Sequence, residues 1–491
     1  MNAEVRDGIV PAATTLVTTD DMAGNRDGSR GYRTIALIVA TSLFMEFLDA
    51  TVLATALPTM ARDFHVRAPQ MSVALTTYLL ALAVFIPASG NMADRFGAKR
   101  VFAAAIVIFT MGSIACGLAP TLPAIIAARF FQGIGGAIML PVGRLVLLRS
   151  VAKADLVSAM SWLLVPALIG PIFGPPVGGL IITYLDWRWI FWINVPIGVL
   201  GVVLVLRFLP EIRGGAITAF DWSGFLLSGV ALGSLLSGFE LASRSGAATA
   251  SIATIAVGLV AGAFYVRHAR RHEHPILDLT LMRTPTFRLS VMAGSLTRIT
   301  QGAQPFLLPL MMQLGFGLTA AQSGLVTVAP AVGSLAMKSG SKWILHRFGF
   351  RRSLIVVGLM ATAGYASCAL FRPGWPMPVI FAVLLVSGFL MSFQFTAYNT
   401  IAYDEIDPAR MSKATSFYAT FQQLMLSLGI CTAAVALHGA MVVRGHSMPA
   451  FPDYGFAFLV VTAVSLSAFL VNGRFSATAG DELAGRGVRS Q

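Results

Sequence analysis

Two acidic residues stand three apart inside a long apolar run, Glu46 and Asp49. If residues 34–58 form a helix, Asp49 lies ~22 Å along it, and Glu46 shares its face. A carboxylate in a bilayer interior is costly and usually functional. There it could load and release protons, or hold a cation. The alternative is structural pairing with a buried arginine. Four basic residues also fall inside apolar runs: Arg129, Arg144, Arg298 and Lys338. Arg129 could tune a carboxylate or form a structural salt bridge. Arg144 is displaced about 60° around the same helix. It lies near Arg149 and could snorkel to the surface. Arg298 sits deeper, with Gln301 and Gln304 one and two turns on, and reads as lining a cavity. Lys338 stands at the end of a run and reads as interfacial. Tyr78, Glu240, Gln394, Tyr398, Asn399, Gln422 and Gln423 are further polar positions in apolar runs. Such groups line a cavity or join helices.

The elements that must position these residues follow from composition. Of 491 residues, 56% are hydrophobic and 12% charged, about half the usual ~25% charged. Mean hydropathy is +0.76. That excludes both a set of soluble domains and a disordered chain. Apolar runs long enough for a bilayer, which needs ~20 residues per helix, occur at 34–58, 71–89, 101–118, 122–148, 159–184, 189–209, 222–242, 251–266, 287–315, 321–338, 353–371, 379–402, 415–437 and 455–472. The expectation is an all-α integral membrane protein of fourteen spans. Internal prolines such as Pro166, Pro171, Pro175 and Pro305 are tolerated where neighbouring helices satisfy the freed backbone.

The net charge of +13 has an address. The N-terminal side, alternate loops and C-terminal tail hold 25 of the 35 Lys and Arg, and the opposite loops hold six. By the positive-inside rule both termini are cytoplasmic, so the basicity is a topology signal and not a nucleic-acid footprint. Residues 1–33 read as a disordered cytoplasmic tail and 473–491 as a second tail. Cys116, Cys368 and Cys431 lie in apolar runs and form no ligand or disulfide pattern. His268, His272 and His274 read as a solvated loop and not a metal site.

An internal repeat divides the chain. Residues 94–100 read Asp-Arg-Phe-Gly-Ala-Lys-Arg, and residues 346–352 read His-Arg-Phe-Gly-Phe-Arg-Arg. Both copies link consecutive spans, eight spans apart. That fits two six-span halves, 34–209 and 287–472, around a two-span insert and basic loop at 210–286. Repeated halves with a site between them are a transporter pattern.

The first copy extends to Gly90-Asn91-Met92-Ala93-Asp94-Arg95-Phe96-Gly97-Ala98-Lys99-Arg100, and the whole loop resembles motif A of the major facilitator superfamily. Its charges could latch two helical bundles on the cytoplasmic side. Arg129-Phe-Phe-Gln132-Gly133-Ile-Gly135-Gly136 resembles motif B. Gly170-Pro171-Ile-Phe-Gly174-Pro175-Pro176-Val-Gly178-Gly179 resembles motif C of proton antiporters. Leu48-Asp49-Ala50-Thr51 through Pro58, and Asp186-Trp187-Arg188-Trp189-Ile190-Phe191 with Asn194-Val195-Pro196, resemble the fourteen-span drug:proton antiporters (EmrB/QacA type). Ala54 stands where that group commonly has Asn, and Ala98 where a basic residue is frequent. The resemblance implies the major facilitator fold, alternating access and a proton-coupling role for Arg129. The spacing of Gly170, Gly174 and Gly178 by four independently suits close helix packing, which could hinge the halves and seal against proton leak.

Together these observations point to a proton-coupled secondary transporter exporting small molecules. Glu46, Asp49 and Arg129 are the candidate coupling residues. Arg144, Arg298, Gln301, Gln304, Tyr78, Gln394 and Asn399 are the candidate substrate cavity. Intramembrane carboxylates suit lipophilic cations, as in multidrug efflux; the arginines suit an organic anion such as a carboxylate metabolite. Partners are a small-molecule substrate, protons and the lipid bilayer, with no nucleic acid, no bound cofactor and a monomeric transport unit. The expected location is a bacterial-type inner membrane. An intramembrane enzyme is the rival class, but no nucleophile–base set stands out. A primary pump would need a Walker A loop, and none of Lys99, Lys153, Lys338, Lys342 and Lys413 is so preceded. A sensor would need a sizeable soluble domain, for which no tail or loop is long enough.

Overall fold

The computed structural model describes residues 19–150, 156–211, 220–242, 246–407 and 410–481. Its first group of helices is α1 (Thr19–Asp63), α2 (Ser72–Phe96), α3 (Ala98–Leu118), α4 (Leu122–Ser150), α5 (Leu156–Tyr184), the short α6 (Trp189–Trp192) and α7 (Asn194–Phe208). A pair follows, α8 (Trp222–Ala242) and α9 (Ala248–Ala269). The remainder is α10 (Pro285–Leu310), α11 (Ala320–Thr327), α12 (Ala329–Phe348), α13 (Phe350–Ala366), α14 (Met377–Ile401), α15 (Met411–Arg444), α16 (Phe451–Leu466) and α17 (Ala468–Asn472). Helix α1 begins at Thr19, inside the segment read from sequence as a disordered tail. No proline interrupts residues 19–33, so the helix can extend at one hydrogen bond per residue. The rest of that expected tail (1–18), and residues 482–491 of the C-terminal one, lie outside the described residues.

Among the described residues, twelve helices are long and apolar enough to cross a membrane. The two other stretches expected to span are also helical, α5 and α10. Within α5, Ile169–Tyr184 is an apolar helical stretch. Helix α10 carries Arg288, Arg298, Gln301 and Gln304 among its apolar residues, which dilutes its hydropathy.

Large apolar side chains face outward on many helices: Leu226, Phe264, Val257, Leu335 and Leu470 are all exposed. On a soluble surface such coverage would aggregate; against lipid tails it is the stable arrangement. The chain is a multi-pass membrane protein. Helices α8 and α9 are the extreme case, far less buried than α1 to α4. They pack on each other; α8 touches α2 and α15, and α9 packs through Tyr265 and Ala269 on the segment that follows it.

Packing partners divide the remaining helices. Helix α1 packs on α5 and α7, and α4 on α2 and α3; α12 packs on α14, and α10 on α15 and α16. The two groups meet chiefly along α2–α15 and α5–α11. Cys116, Cys368 and Cys431 are buried, free thiols.

The repeated loop gives the two groups one local geometry. Gly97 (φ 91°) ends α2 and starts α3; Gly349 (φ 72°) does the same for α12 and α13. Each amide donates back into the preceding helix, Gly97 to Ala93 and Gly349 to Leu345. A positive φ between two helices admits glycine with no Cβ penalty.

Candidate functional site

The Asp49 carboxylate lies at the centre of a closed polar cluster. Its Oδ2 accepts from Arg129 Nη1 at 2.6 Å. Its Oδ1 accepts from Gln132 Nε2 at 2.9 Å and from Asn194 Nδ2 at 2.8 Å. Asp49 and Arg129 are both buried, at 3% and 0% exposure. Such a pair is tolerated away from water only when further hydrogen bonds complete it. They do: Arg129 Nε donates to the Ala74 carbonyl, Nη1 also donates to Gln132 Oε1, and Gln132 and Asn194 both donate to Ser113 Oγ. The guanidinium lies 4.4 Å from the Tyr78 ring centroid, a cation–π contact in a dry setting.

Helix periodicity explains why these residues converge. Arg129 and Gln132 are one turn apart on α4, so one face of that helix presents both. Asn194 is the first residue of α7 and Ser113 faces them from α3. Tyr78 reaches in from α2, where Gly136 leaves room for its hydroxyl. Five helices of the first group are tied to one carboxylate. The structural pairing held open from sequence is therefore formed by Asp49 and Arg129. Gln132, Ser113 and Asn194 were not among the candidate residues. Gln132 carried a signal in its one-turn spacing from Arg129 and Asn194 in the motif around it, while Ser113 carried none.

Glu46, one turn before Asp49 on α1, stays outside the cluster. It is 5% exposed, and its Oε2 has no hydrogen-bond partner. It interacts electrostatically with Asp49 and with Arg144. Arg144 on α4 also interacts electrostatically with Tyr403, just past α14. Its Nε is buried without an acceptor.

The second group contributes Arg298 from α10. Its Nη1 donates to Gln301 Oε1 at 2.6 Å, and its guanidinium lies 4.0 Å from the Phe395 ring centroid. Gln301 Nε2 reaches the Met391 carbonyl at 3.5 Å. Gln304 Nε2 is buried and unpartnered. Asn399 donates to the Phe395 carbonyl and accepts from Gln422. Gln394 is placed differently, among Gly358, Thr362 and Asn472 between α13, α14 and the last helices. Tyr398 donates to Asn472 and so ties α14 to α17. The side chain of Lys338 lies outside the described residues.

The glycine-rich face of α5 meets both groups. A Cβ on Gly170, Gly174 or Gly178 would collide with α1 at Leu48, Thr51 and Val52. Gly179 approaches the Ala320 backbone, and the Pro175 carbonyl abuts Gly324. Beside them the Ala321 amide donates to Thr183 Oγ1, and Gln313 Nε2 donates to the Thr55 carbonyl. These contacts close the groups together at the end of the bundle opposite the Gly97 turn. At the Gly97 end, Asp94 and Arg95 occupy the last turn of α2, and Lys99 and Arg100 the first turn of α3. Arg100 pairs with Glu211 at 3.5 Å on the surface, and Arg95 lies over Phe96. Gly90 faces open space, so no close contact there requires glycine.

Two tethers lie outside this site. Trp187 Nε1 donates to Asp63, and Arg188 pairs with Asp63 and Asp186, which pins the end of α1 to the turn before α6. His268, expected in a solvated loop, instead bonds Asp221 Oδ1 at 2.7 Å. Asp221, His268 and His272 have ligand-type atoms within 4.8 Å of one another. The Asp221 oxygens also accept from the Gly224 and Ile276 amides, so this carboxylate is engaged in capping α8.

The family pattern of the Major Facilitator Superfamily matches residues 39–430. A Haemophilus influenzae relative carrying the transport-protein name HsrA is 38% identical over 413 residues, covering 84% of this chain and 89% of the relative. An Escherichia coli relative carrying the multidrug-resistance name MdtD is 36% identical over 404 residues, covering 82% and 85%. Among solved structures, a D-xylose–proton symporter superposes with a TM-score of 0.65 at 16% identity, over 90% of this chain and 97% of that one; at that identity the likeness concerns the fold. With this sequence and this fold, the chain belongs to the major facilitator superfamily of transporters.

Proposed function

We propose that the protein is a proton-coupled secondary transporter that exports small molecules by alternating access. The observation that carries this reading is the dry Asp49–Arg129 cluster, with a second carboxylate, Glu46, one turn away. As a carboxylate, Asp49 only accepts hydrogen bonds, and it has three donors. A proton on Asp49 would remove the counter-charge of Arg129 and give one oxygen a donor where acceptors are needed. That loosens the hold of α1 on α3, α4 and α7. Proton occupancy would thus bias how the first group packs, which is what a two-state carrier needs from its coupling site. Glu46 would pass protons between Asp49 and the space between the two groups.

In this reading α5 and α10 complete fourteen spans with the twelve apolar helices, and α8 with α9 forms an insert between two six-span halves. The excess of Lys and Arg in alternate loops supports cytoplasmic termini in a bacterial cell, with the protein in the inner membrane. The glycine face of α5 is the seam on which the halves rock, and the Asp94 to Arg100 segment gates the cytoplasmic end. The multidrug name of the MdtD relative supports export of lipophilic compounds.

The test is proton movement in inverted membrane vesicles. Adding a transported compound to vesicles that contain the protein should release protons from an acidified lumen. Asp49→Asn should abolish that release while the protein remains in the membrane at similar abundance. Undiminished release by Asp49→Asn would remove the coupling assignment.

A further inference from the structure

Three arginines and two carboxylates sit on apolar helices of the two groups, and among the described residues only Asp49 and Arg129 close an ion pair. Arg129 is neutralised by Asp49. Arg144 makes no hydrogen bond or ion pair among the described residues, and its Nε is buried. Glu46 lies within electrostatic reach of Arg144 without closing a salt bridge. Arg298 hydrogen-bonds only Gln301 and has no acidic partner among the described residues. Both unpaired arginines are partly enclosed by protein.

A guanidinium withdrawn from bulk water without an anion is expensive. It persists where function supplies the missing charge. The two free arginines come from opposite groups, Arg144 from α4 and Arg298 from α10, and tyrosines link them. Arg144 is within electrostatic reach of Tyr403, the Tyr403 and Tyr418 rings are 6.0 Å apart, and Tyr418 is within electrostatic reach of Arg298. The Phe395 ring under Arg298 supplies an apolar platform. Gln304 Nε2 is a further buried donor with no acceptor. The surplus is of donors and positive charge, and its surroundings are aromatic.

We infer that the transported substrate is a carboxylate-bearing organic anion, preferably with an apolar or aromatic body, held between Arg144 and Arg298. Guanidinium groups match carboxylates with paired, charge-assisted hydrogen bonds. A ligand touching both groups would also bind differently in the two states of a carrier. The inference rests on the transporter reading above and names the substrate class of that transporter.

The test is equilibrium binding to the purified full-length protein in lipid nanodiscs, with no gradient present. Benzoate and succinate are the anionic probes and ethidium the cationic one. Benzoate, succinate or both should bind, and Arg298→Gln should weaken that binding by about tenfold or more. Arg298→Lys keeps the charge but loses the planar fork, so it should fall between the two. Arg144→Gln, on a different helix, should weaken it independently, which covers the case in which Arg298→Gln fails to fold. Ethidium alone binding, or carboxylate binding unchanged in both Gln variants, would overturn the inference. A failure of proton coupling would leave this binding result standing. Loss of binding would leave the vesicle test of Asp49 untouched.

Discussion

Gln132 shows how much one uncharged residue can carry. It donates to Asp49 and Ser113 and accepts from Arg129. Gln132→Leu would take one hydrogen bond from each of three buried polar groups. A lost hydrogen bond costs ~0.5–1.5 kcal/mol each, more at charged groups, so the thermal midpoint should drop by several degrees in a detergent melt. Removing one member of the buried ion pair should cost more, ~3–5 kcal/mol. Arg129→Gln alone should therefore destabilise more than the double variant Arg129→Gln/Asp49→Asn, in which neither charge is left alone. A double-mutant cycle on melting checks this, and additive losses would contradict the pairing. The sequence displayed Asp49 and Arg129 as separate anomalies 80 positions apart, with nothing to say that they meet. Asn194 was legible only through the motif around it, because a single polar residue at a helix start has many uses. Gln301 was legible by its spacing, since one helical turn places it within reach of Arg298.

At the scale of elements, glycine spacing on α5 was legible and its partner was not. Four-residue spacing makes a flat stripe on any helix, but only the fold shows that α1 lies against it, with α11 beside its last turns. Gly174→Leu should separate α1 from α5 and abolish transport, because overpacking costs ~1–3 kcal/mol and falls next to Pro175, where α5 meets α11 of the other group. Gly233→Leu on α8, where a Cβ meets open space, should leave transport near wild type. Equal losses from both would show that α5 is not a special surface. The loop between α9 and α10 gives a pH-dependent case. Burial alone would raise the Asp278 carboxyl, but hydrogen bonds from Thr280 and Arg410 outweigh it and leave it below the ordinary value. A depressed carboxyl stabilises the fold above its unfolded pKa, ~3.9, and that contribution is lost as pH falls through the folded value. Asp278→Asn should lower the melting midpoint modestly at pH 7, with the deficit shrinking as pH falls below about 4. A deficit that grew on acidification would contradict the assignment.

At the scale of the whole molecule, the run of long apolar helices and the repeated glycine turn could be read from the chain. Span length and loop charge are one-dimensional quantities, and the bilayer fixes them directly. The resting places of polar residues inside the bundle could not, because helices of equal hydropathy pack in many rotations. Gln394 and Asn399 are near neighbours on α14, yet Gln394 lies toward α13 and Asn399 toward Gln422 on α15. The same limit hid the join at the far end of the bundle, where Glu240 on α8 accepts from Ser72 on α2 and Cys431 on α15 also reaches it. The most direct measurement of the central claim uses purified protein in liposomes under an imposed pH gradient. Accumulation of a transported compound should follow the gradient, collapse when a protonophore dissipates it, and vanish in Asp49→Asn at unchanged reconstitution. Accumulation that ignores the gradient, or that survives in Asp49→Asn, would contradict proton coupling at this cluster.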